Sequence, residues 1–313
     1  MQTTQVHDWI NRDIQSLRGY TVIEQVYKGY SGDMKFIVSK PDNRFFLKCF
    51  SLSEMDQKQA EYEVLKQLET LGVKCSHAIE IGRMTGVALG FMVFTYVEGE
   101  DASDMLPRFS DEEQYEIGLE AGRQLQLIHQ LKADNKVEDW YSRKAAKHLR
   151  YVEQYRDCGV RIAGDSAILS FIEEHLHWMN NRPNLFQHDD YHTANLIVRN
   201  KAFAGAIDFN RMDWGDPVHE FLKTGFFSAE VSVPFSIGQI RGYHNLNEPS
   251  EAFWQLYALY VAMCTISSIV WIMKVKPEEL KIMMAKVERV VADHDQFASI
   301  IPRWYQSWNG RLA

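Results

Sequence analysis

The stretch Gln187-His188-Asp189-Asp190-Tyr191-His192-Thr193-Ala194-Asn195 places two histidines four residues apart with two carboxylates between them. Two chemistries use such residues. On a helix, histidines at i and i+4 share a face and bind zinc, with a carboxylate beside them as base. Here Asp replaces the usual glutamate, Pro183 and Asn184 stand just upstream, and the β-prone Asn195-Leu196-Ile197-Val198 follows. That leaves little room for a helix, and no third ligand occurs at a known spacing. On a loop, the same residues suit phosphoryl transfer. Asn195 follows Asp190 by five positions, and a returning β-rich segment, Ala204 to Phe209, carries Asp208. A short hairpin brings Asn195 and Asp208 to one end, where an amide oxygen and a carboxylate can hold Mg²⁺, a hard ion that keeps phosphate oxygens in its shell. Asp190 is then placed to accept a hydroxyl proton as that oxygen attacks a γ-phosphoryl group.

The elements that must position these groups fall into two regions. Tyr20–Tyr27, Met34–Lys40 and Arg44–Phe50 read as strands, the first two separated by the glycine-containing turn Lys28–Asp33. In the third, alternation puts Phe46, Lys48 and Phe50 on one face and Phe45, Leu47 and Cys49 on the other. A helix follows, with Ser53 and Asp56 at N-cap and N3 spacing and Val64, Leu65, Leu68 and Leu71 as its apolar stripe. Its phase turns Glu61 inward and Glu63 outward. The nearly continuous apolar run Val87–Val97 reads as a strand covered on both sides. After about residue 100 the pattern is helical. It opens on a capping box, Ser110 with Glu113, and Asp165 is a further expected N-cap. A β-rich island at Ala194–Phe209, turning near Arg199-Asn200-Lys201, interrupts it.

His188-x-Asp190-x-x-x-x-Asn195, followed by Ile207-Asp208-Phe209 and Gly215-Asp216-Pro217, resembles the catalytic loop and metal segment of the aminoglycoside phosphotransferase and choline-kinase-like superfamily. The resemblance runs from about Tyr20 to Pro217. It implies an α+β, two-lobed, protein-kinase-like fold: a small β-rich nucleotide-binding lobe over 1–97 with one main helix, and a larger, mostly helical catalytic lobe over 98–313. It implies that ATP or GTP binds between the lobes, with Lys48 on the α- and β-phosphates and Glu61 paired to it. By the same resemblance Ser31 and neighbouring amides approach the β-phosphate, and the backbone of Thr95, Tyr96 and Val97 holds adenine. Asn195 and Asp208 hold Mg²⁺, and Asp190 is the catalytic base. His188 and Asp216 are expected to brace the loop, and His129 to be a satisfied core histidine. Family members usually have Gly between the His and Asp; Asp189 stands there instead, a second carboxylate with three roles open to it: raising the pKa of the base, adding a metal contact, or pointing to solvent. The Lys28–Asp33 turn is not a G-x-G-x-x-G, and the H-R-D and A-P-E signatures of protein kinases are absent.

Composition bounds the rest. The chain has 313 residues, 46% of them hydrophobic, and a net charge of −8. That acidity argues against nucleic acid as a partner and is compatible with a cationic substrate. Four cysteines without a C-x-x-C pair suggest a reduced, cytoplasmic protein, and the N-terminus has no signal-peptide pattern. Ala252–Met273 carries no charged side chain and is long enough to span a bilayer. Its Gln, Thr and Ser content, and the lack of a second such segment, favour a core helix, so no membrane partner is expected. The expected partners are a nucleoside triphosphate and a small hydroxyl-bearing acceptor, an amino sugar or amino alcohol. Asp213, Glu220, Glu230, Glu248 and Glu251 are offered as carboxylates for its ammonium groups, and Ser228–His244 as a lining of its pocket.

Overall fold

A helix that the sequence reading did not anticipate opens the fold: α1, Thr3–Asp13, in a computed structural model that describes residues 3–27, 32–134 and 136–308. Its signal was present. Val6, Trp9 and Ile10, continued by Ile14 and Leu17, recur at helical spacing and are buried against Phe36, Val38, Leu47, Cys49, Phe91 and Val93. Each such burial stabilises by about 2 kcal/mol. The sheet they cover comprises β1 (Val22–Val26), β2 (Met34–Ser39), β3 (Arg44–Ser51), β4 (Ala78–Arg83) and β5 (Leu89–Thr95), antiparallel in the order β1-β2-β3-β5-β4. With one face of β3 occupied by that core, Phe46, Lys48 and Phe50 are left for the other.

Helix α2, Met55–Thr70, buries Glu61, Val64, Leu65 and Leu68, as its phase predicted. Its start differs from expectation. Ser51, not Ser53, provides the cap; it accepts from Ser53 N and closes a 3-10 turn over Leu52–Glu54 before α2 begins.

These elements form one compact unit, Met1–Gly99, joined by Ala204–Asn210; the second unit is Glu100–Phe203 with Arg211–Ala313. The segment carrying Asp208 was expected with the second region. It belongs to the first because Ala206 N donates to Lys74 O (2.9 Å) and Ser76 N to Ala206 O (3.0 Å). A Cβ on Gly205 would lie 3.1 Å from Val97 and 3.2 Å from Lys74 O, so glycine is what permits this approach.

The second unit contains β6 (Glu100–Asp101), α3 (Ala102–Met105), α4 (Asp111–Ile128), α5 (Trp140–Asp157), α6 (Asp165–His175), β7 (Leu185–Gln187) and β8 (Leu196–Arg199). β9 (Ala202–Ala206) leads into the Asp208 segment; the second unit resumes with β10 (Asp213–Gly215), α7 (Ala229–Val231), α8 (Val233–Tyr243), α9 (Glu251–Val275), α10 (Leu280–Asp293) and α11 (Arg303–Gln306). The capping box at Ser110 and Glu113 is present. At α6 the N-cap is Gly164, left-handed at φ 75°, while Asp165 accepts from Tyr155 Oη at 2.9 Å. Asn200 and Lys201 between β8 and β9 have φ of 52° and 61°, the left-handed pair that a two-residue hairpin turn needs. Helix α9 is the core of this unit. It is long and apolar enough to cross a membrane, but 78% of its most apolar stretch is buried inside the protein, against α5, α6 and α10 among others.

Helices α4 and α8 touch backbone to backbone. A Cβ on Gly118 or Gly122 would lie 2.1 Å from Phe235 O or Gln239 O, and one on Gly238 or Gly242 would lie 2.2 Å from Tyr115 O or 2.1 Å from Leu119 O. Two glycines four apart on each helix create this contact.

Candidate active site

In the second unit the loop after β7 is tied down by groups far away in sequence. Glu220 is buried and accepts from Asp189 N (3.0 Å) and Tyr191 N (3.1 Å). Burial by itself would raise its carboxyl, but His129, His188 and the Asp189 amide outweigh that and hold it ionised. Tyr191 Oη donates to Ala121 O on α4 (2.8 Å), and His188 Nδ1 accepts from Asp190 N (3.2 Å). Asp189 sits at φ 57°, the left-handed region where glycine is at ease, which gives a physical reason for the Gly usual there in the family. Asp tolerates that region better than most residues.

The clamped loop presents the Asp190 carboxylate, 19% exposed, to several donors. Lys223 Nζ is 3.0 Å and His192 Nε2 3.4 Å from Oδ1, and Arg211 Nη1 is 3.9 Å away. Asn195 Nδ2 donates to Oδ2 (3.1 Å) and to the Asp190 carbonyl (2.9 Å). Burial pushes the carboxyl up; Lys223, His192 and Arg211 overcome it and hold it well below the usual carboxylate range. Of the three roles open to Asp189, raising the base does not prevail, because Lys223, His192 and Arg211 outweigh it. Lys223 was not anticipated from the sequence. It ends the run Gly215-Asp216-Pro217-Val218-His219-Glu220-Phe221-Leu222-Lys223, just ahead of a π-helical turn at Thr224–Ser228, a feature frequent at functional sites. Asn195 turns its nitrogen to Asp190, which leaves the amide oxygen as the end suited to a hard cation.

In the first unit Lys48 is buried and its Nζ lies 2.6 Å from Asp208 Oδ1. Burial would lower its pKa, but Asp208 and then Glu61 outweigh this and keep it charged. The ion partner of Glu61 in range is Lys58 (3.5 Å) rather than Lys48, and Glu61 Oε1 is buried without a hydrogen-bond partner among the described residues. Lys35, also buried, stands directly across from Lys48 on β2. Sequence reasoning passed over it, although alternation from Lys48 through an antiparallel pairing would have found it. Two opposed buried lysines repel each other, and the arrangement suits a polyanion. Burial, with that repulsion, lowers the pKa of Lys35 against the pull of Asp208. Asp208 has φ 67°, a strained backbone of the sort that clusters at functional sites.

The remaining expected nucleotide contacts divide. Ser31 lies outside the described residues. Thr95 N donates to His77 O (2.9 Å) and Tyr96 N to Arg44 O (3.3 Å), so two of the three amides offered to adenine are already bonded within the unit. Asp216 is fully buried, accepts from Arg182 (2.7 and 3.0 Å) and Tyr260 Oη (2.7 Å), and caps Val218 N (3.0 Å). Its backbone carbonyl accepts from Gln187 Nε2 at the head of the loop. His129 accepts or donates at Tyr243 Oη (2.8 Å) in the core.

The carboxylates offered to a cationic acceptor are mostly occupied. Asp213 pairs with Arg143 (3.2 Å), Glu230 with Lys286, Glu248 with Arg241, and Glu220 holds the loop. Glu251 accepts from Gln255 (3.3 Å) at the start of α9. The Ser228–His244 segment comprises α7 and α8, and α8 is buried along most of its length and packed on α4, so it is core rather than pocket lining. Among the described residues no group of three or more His, Cys, Asp or Glu is placed to hold a metal, and the His188–His192 stretch contains no helix.

The model of a phosphotransferase enzyme family matches residues 22–256. No curated protein matches. Several solved structures are similar. The GDP complex of wild-type aminoglycoside 2′-phosphotransferase-IIIa has a TM-score of 0.68 at 12% identity, covering 94% of this chain and 100% of that one. An aminoglycoside phosphotransferase APH(4)-Ia variant in ternary complex with AMP-PNP and hygromycin B has a TM-score of 0.68 at 13% identity, with coverage of 92% and 98%. The gentamicin–APH(2″)-IIa complex has a TM-score of 0.65 at 15% identity, with coverage of 92% and 97%. At such identities the likeness speaks for the fold, which is α+β and kinase-like.

Proposed function

Since the chain belongs to the phosphotransferase enzyme family, acting on hydroxyl groups, we propose that it transfers the γ-phosphoryl group of ATP or GTP to a hydroxyl of a small molecule. One observation carries this reading: Asp190 is held ionised on a clamped loop, with Lys223 at 3.0 Å and Asn195 at 3.1 Å. An ionised carboxylate so placed can take the acceptor's proton. In this reading Lys48, with Lys35 beside it, binds the phosphates. Lys48 leaves Asp208 for the triphosphate, and Glu61, whose Oε1 is an orphan, steadies it from behind. Asn195 and Asp208 are the proposed Mg²⁺ ligands, both offering the oxygen donors that this ion takes. When bound, the ion neutralises phosphate charge. With the Thr95 and Tyr96 amides bonded within the unit, the Val97 backbone is the proposed contact to adenine, and Ser31 the proposed contact to the β-phosphate. A reducing, cytoplasmic setting fits the four free cysteines.

The amino-sugar acceptor draws support from gentamicin and hygromycin B in two of the similar structures. The occupied state of Asp213, Glu220, Glu230 and Glu248 weighs against it. The test is acceptor-dependent release of ADP from Mg-ATP, and of GDP from Mg-GTP, across amino sugars, amino alcohols, sugars and hydroxy acids. Absence of AMP-PNP binding by calorimetry, with no release above background, would end the proposal.

A further inference from the structure

We infer that the acceptor is an anion, a hydroxyl compound that also bears a carboxylate or phosphate, recognised by Lys144 and Lys147 of α5. The inference rests on Asp190 being the base of the proposed kinase.

Its ground is the arrangement of charge around the loop. Lys144 Nζ lies 2.5 Å from His219 Nε2, and His219 Nδ1 faces Asp189 Oδ1 at 3.4 Å. That chain of three groups ties Lys144 to the residue that precedes the base in the catalytic loop. Its ammonium also lies over the Trp140 ring, 5.5 Å from the centroid, and Trp140 packs edge-on against His219. A cation on an aromatic ledge with a neutral histidine as hydrogen-bond partner is held in place without being neutralised. Lys147 lies one turn along α5 from Lys144 and is exposed. Among the described residues neither lysine has a carboxylate in ion-pair range.

Lys144, Lys147, Lys223 and Arg211 are thus set against three carboxylates, Asp189, Asp190 and Glu220, the last of them turned to the loop amides. Asp213 also acts on Lys144 but is paired with Arg143 at 3.2 Å. A polyammonium acceptor approaching Asp190 meets like charge, whereas a carboxylate or phosphate meets two available ammonium groups. In the reaction the acceptor O–H proton passes to Asp190, the O–Pγ bond forms, and the bond from Pγ to the β-phosphate oxygen breaks to release the nucleoside diphosphate.

The full-length chain is titrated calorimetrically with D-gluconate, D-glucose 6-phosphate, D-glucose and kanamycin, each with and without Mg²⁺ and AMP-PNP, and turnover with Mg-ATP follows. At least one of the two anions is expected to bind and be phosphorylated in preference to glucose and kanamycin. Lys144→Met should raise KM for that anion roughly tenfold or more, the loss of one charge-assisted hydrogen bond, while kcat changes little. Lys147→Gln, at an exposed position that cannot unfold the protein, should raise it less. Binding of neither anion, phosphorylation of kanamycin alone, or an unchanged KM in both variants overturns the inference. Failure of AMP-PNP to bind while gluconate or glucose 6-phosphate still binds sinks the kinase reading, and with it the acceptor role, leaving only an anion site at Lys144 and Lys147; binding of AMP-PNP with neither anion bound sinks this inference and leaves the kinase reading.

Discussion

Asp190 and Asp189 are adjacent carboxylates with opposite surroundings. Lys223, His192 and Arg211 keep Asp190 ionised, whereas burial outweighs Lys223 and Lys144 and raises the pKa of Asp189. Asp190→Asn is expected to lower kcat by about 10²–10⁴-fold, the usual contribution of a positioned base, with nucleotide affinity by calorimetry nearly unchanged. Near-normal turnover would remove Asp190 from the chemistry. Lys144 supplies a pH signature. Burial and Lys147 pull its pKa down from 10.5 to about 8. Anion affinity should therefore fall as pH rises through about 8, and Lys144→Met should show no such decline. The sign for stability is the reverse. Between about 8 and 10.5 the unfolded chain holds a proton that the folded chain has released, so Lys144 makes stability rise with pH in that window. Asp190 acts at the other end: its depressed pKa stabilises the fold above the ordinary carboxylate value of 3.8, and this is lost as pH falls below it.

Elements place these residues by contacts that leave little tolerance. The loop carrying Asp190 hangs on Glu220 and on Tyr191 Oη bonded to Ala121 O of α4. Helix α4 is seated on α8 through glycine-to-backbone contacts near 2.1 Å to a missing Cβ. Gly238→Ala must push the helices apart, and overpacking of this kind costs about 1–3 kcal/mol or more. A denaturant melt that matched the parent would show that α4 and α8 can separate freely. The helical phase of α4 was legible from Ile117, Ala121, Leu125 and Ile128, which are all buried. The role of its glycines was not, because the reason for a glycine lies on the opposite helix.

At the scale of the molecule, charge is the instructive quantity. The chain carries −8, yet Lys223, His192 and Arg211 all converge on the Asp190 carboxylate. Net charge governs solubility and long-range steering, while substrate recognition depends on the few charges within reach. Mg-nucleotide should stabilise the whole protein by about 2.7 kcal/mol at a hundredfold excess over Kd, seen as a higher Tm. Asp208→Asn should remove the Mg²⁺-dependent part of that shift; an identical Mg²⁺ response would exclude Asp208 as a metal ligand.

Periodicity and spacing by themselves determined the inward phase of α2, the capping box of α4 and the strand-then-helix order; the set Lys48, Glu61, Asp190, Asn195 and Asp208 came from spacing together with the family resemblance. Each of these rests on neighbours within a few residues, or on one motif read along the chain. The partners of those residues were decided only by tertiary structure. Lys48 meets Asp208, Lys35 opposes Lys48, Lys223 holds Asp190, and Glu220 clamps the loop rather than receiving a substrate. The Asp208 segment joins the first unit through Lys74 and Ser76. A carboxylate's partner depends on which cation the fold brings within about 4 Å, and across dozens of residues the chain carries no local mark of that distance.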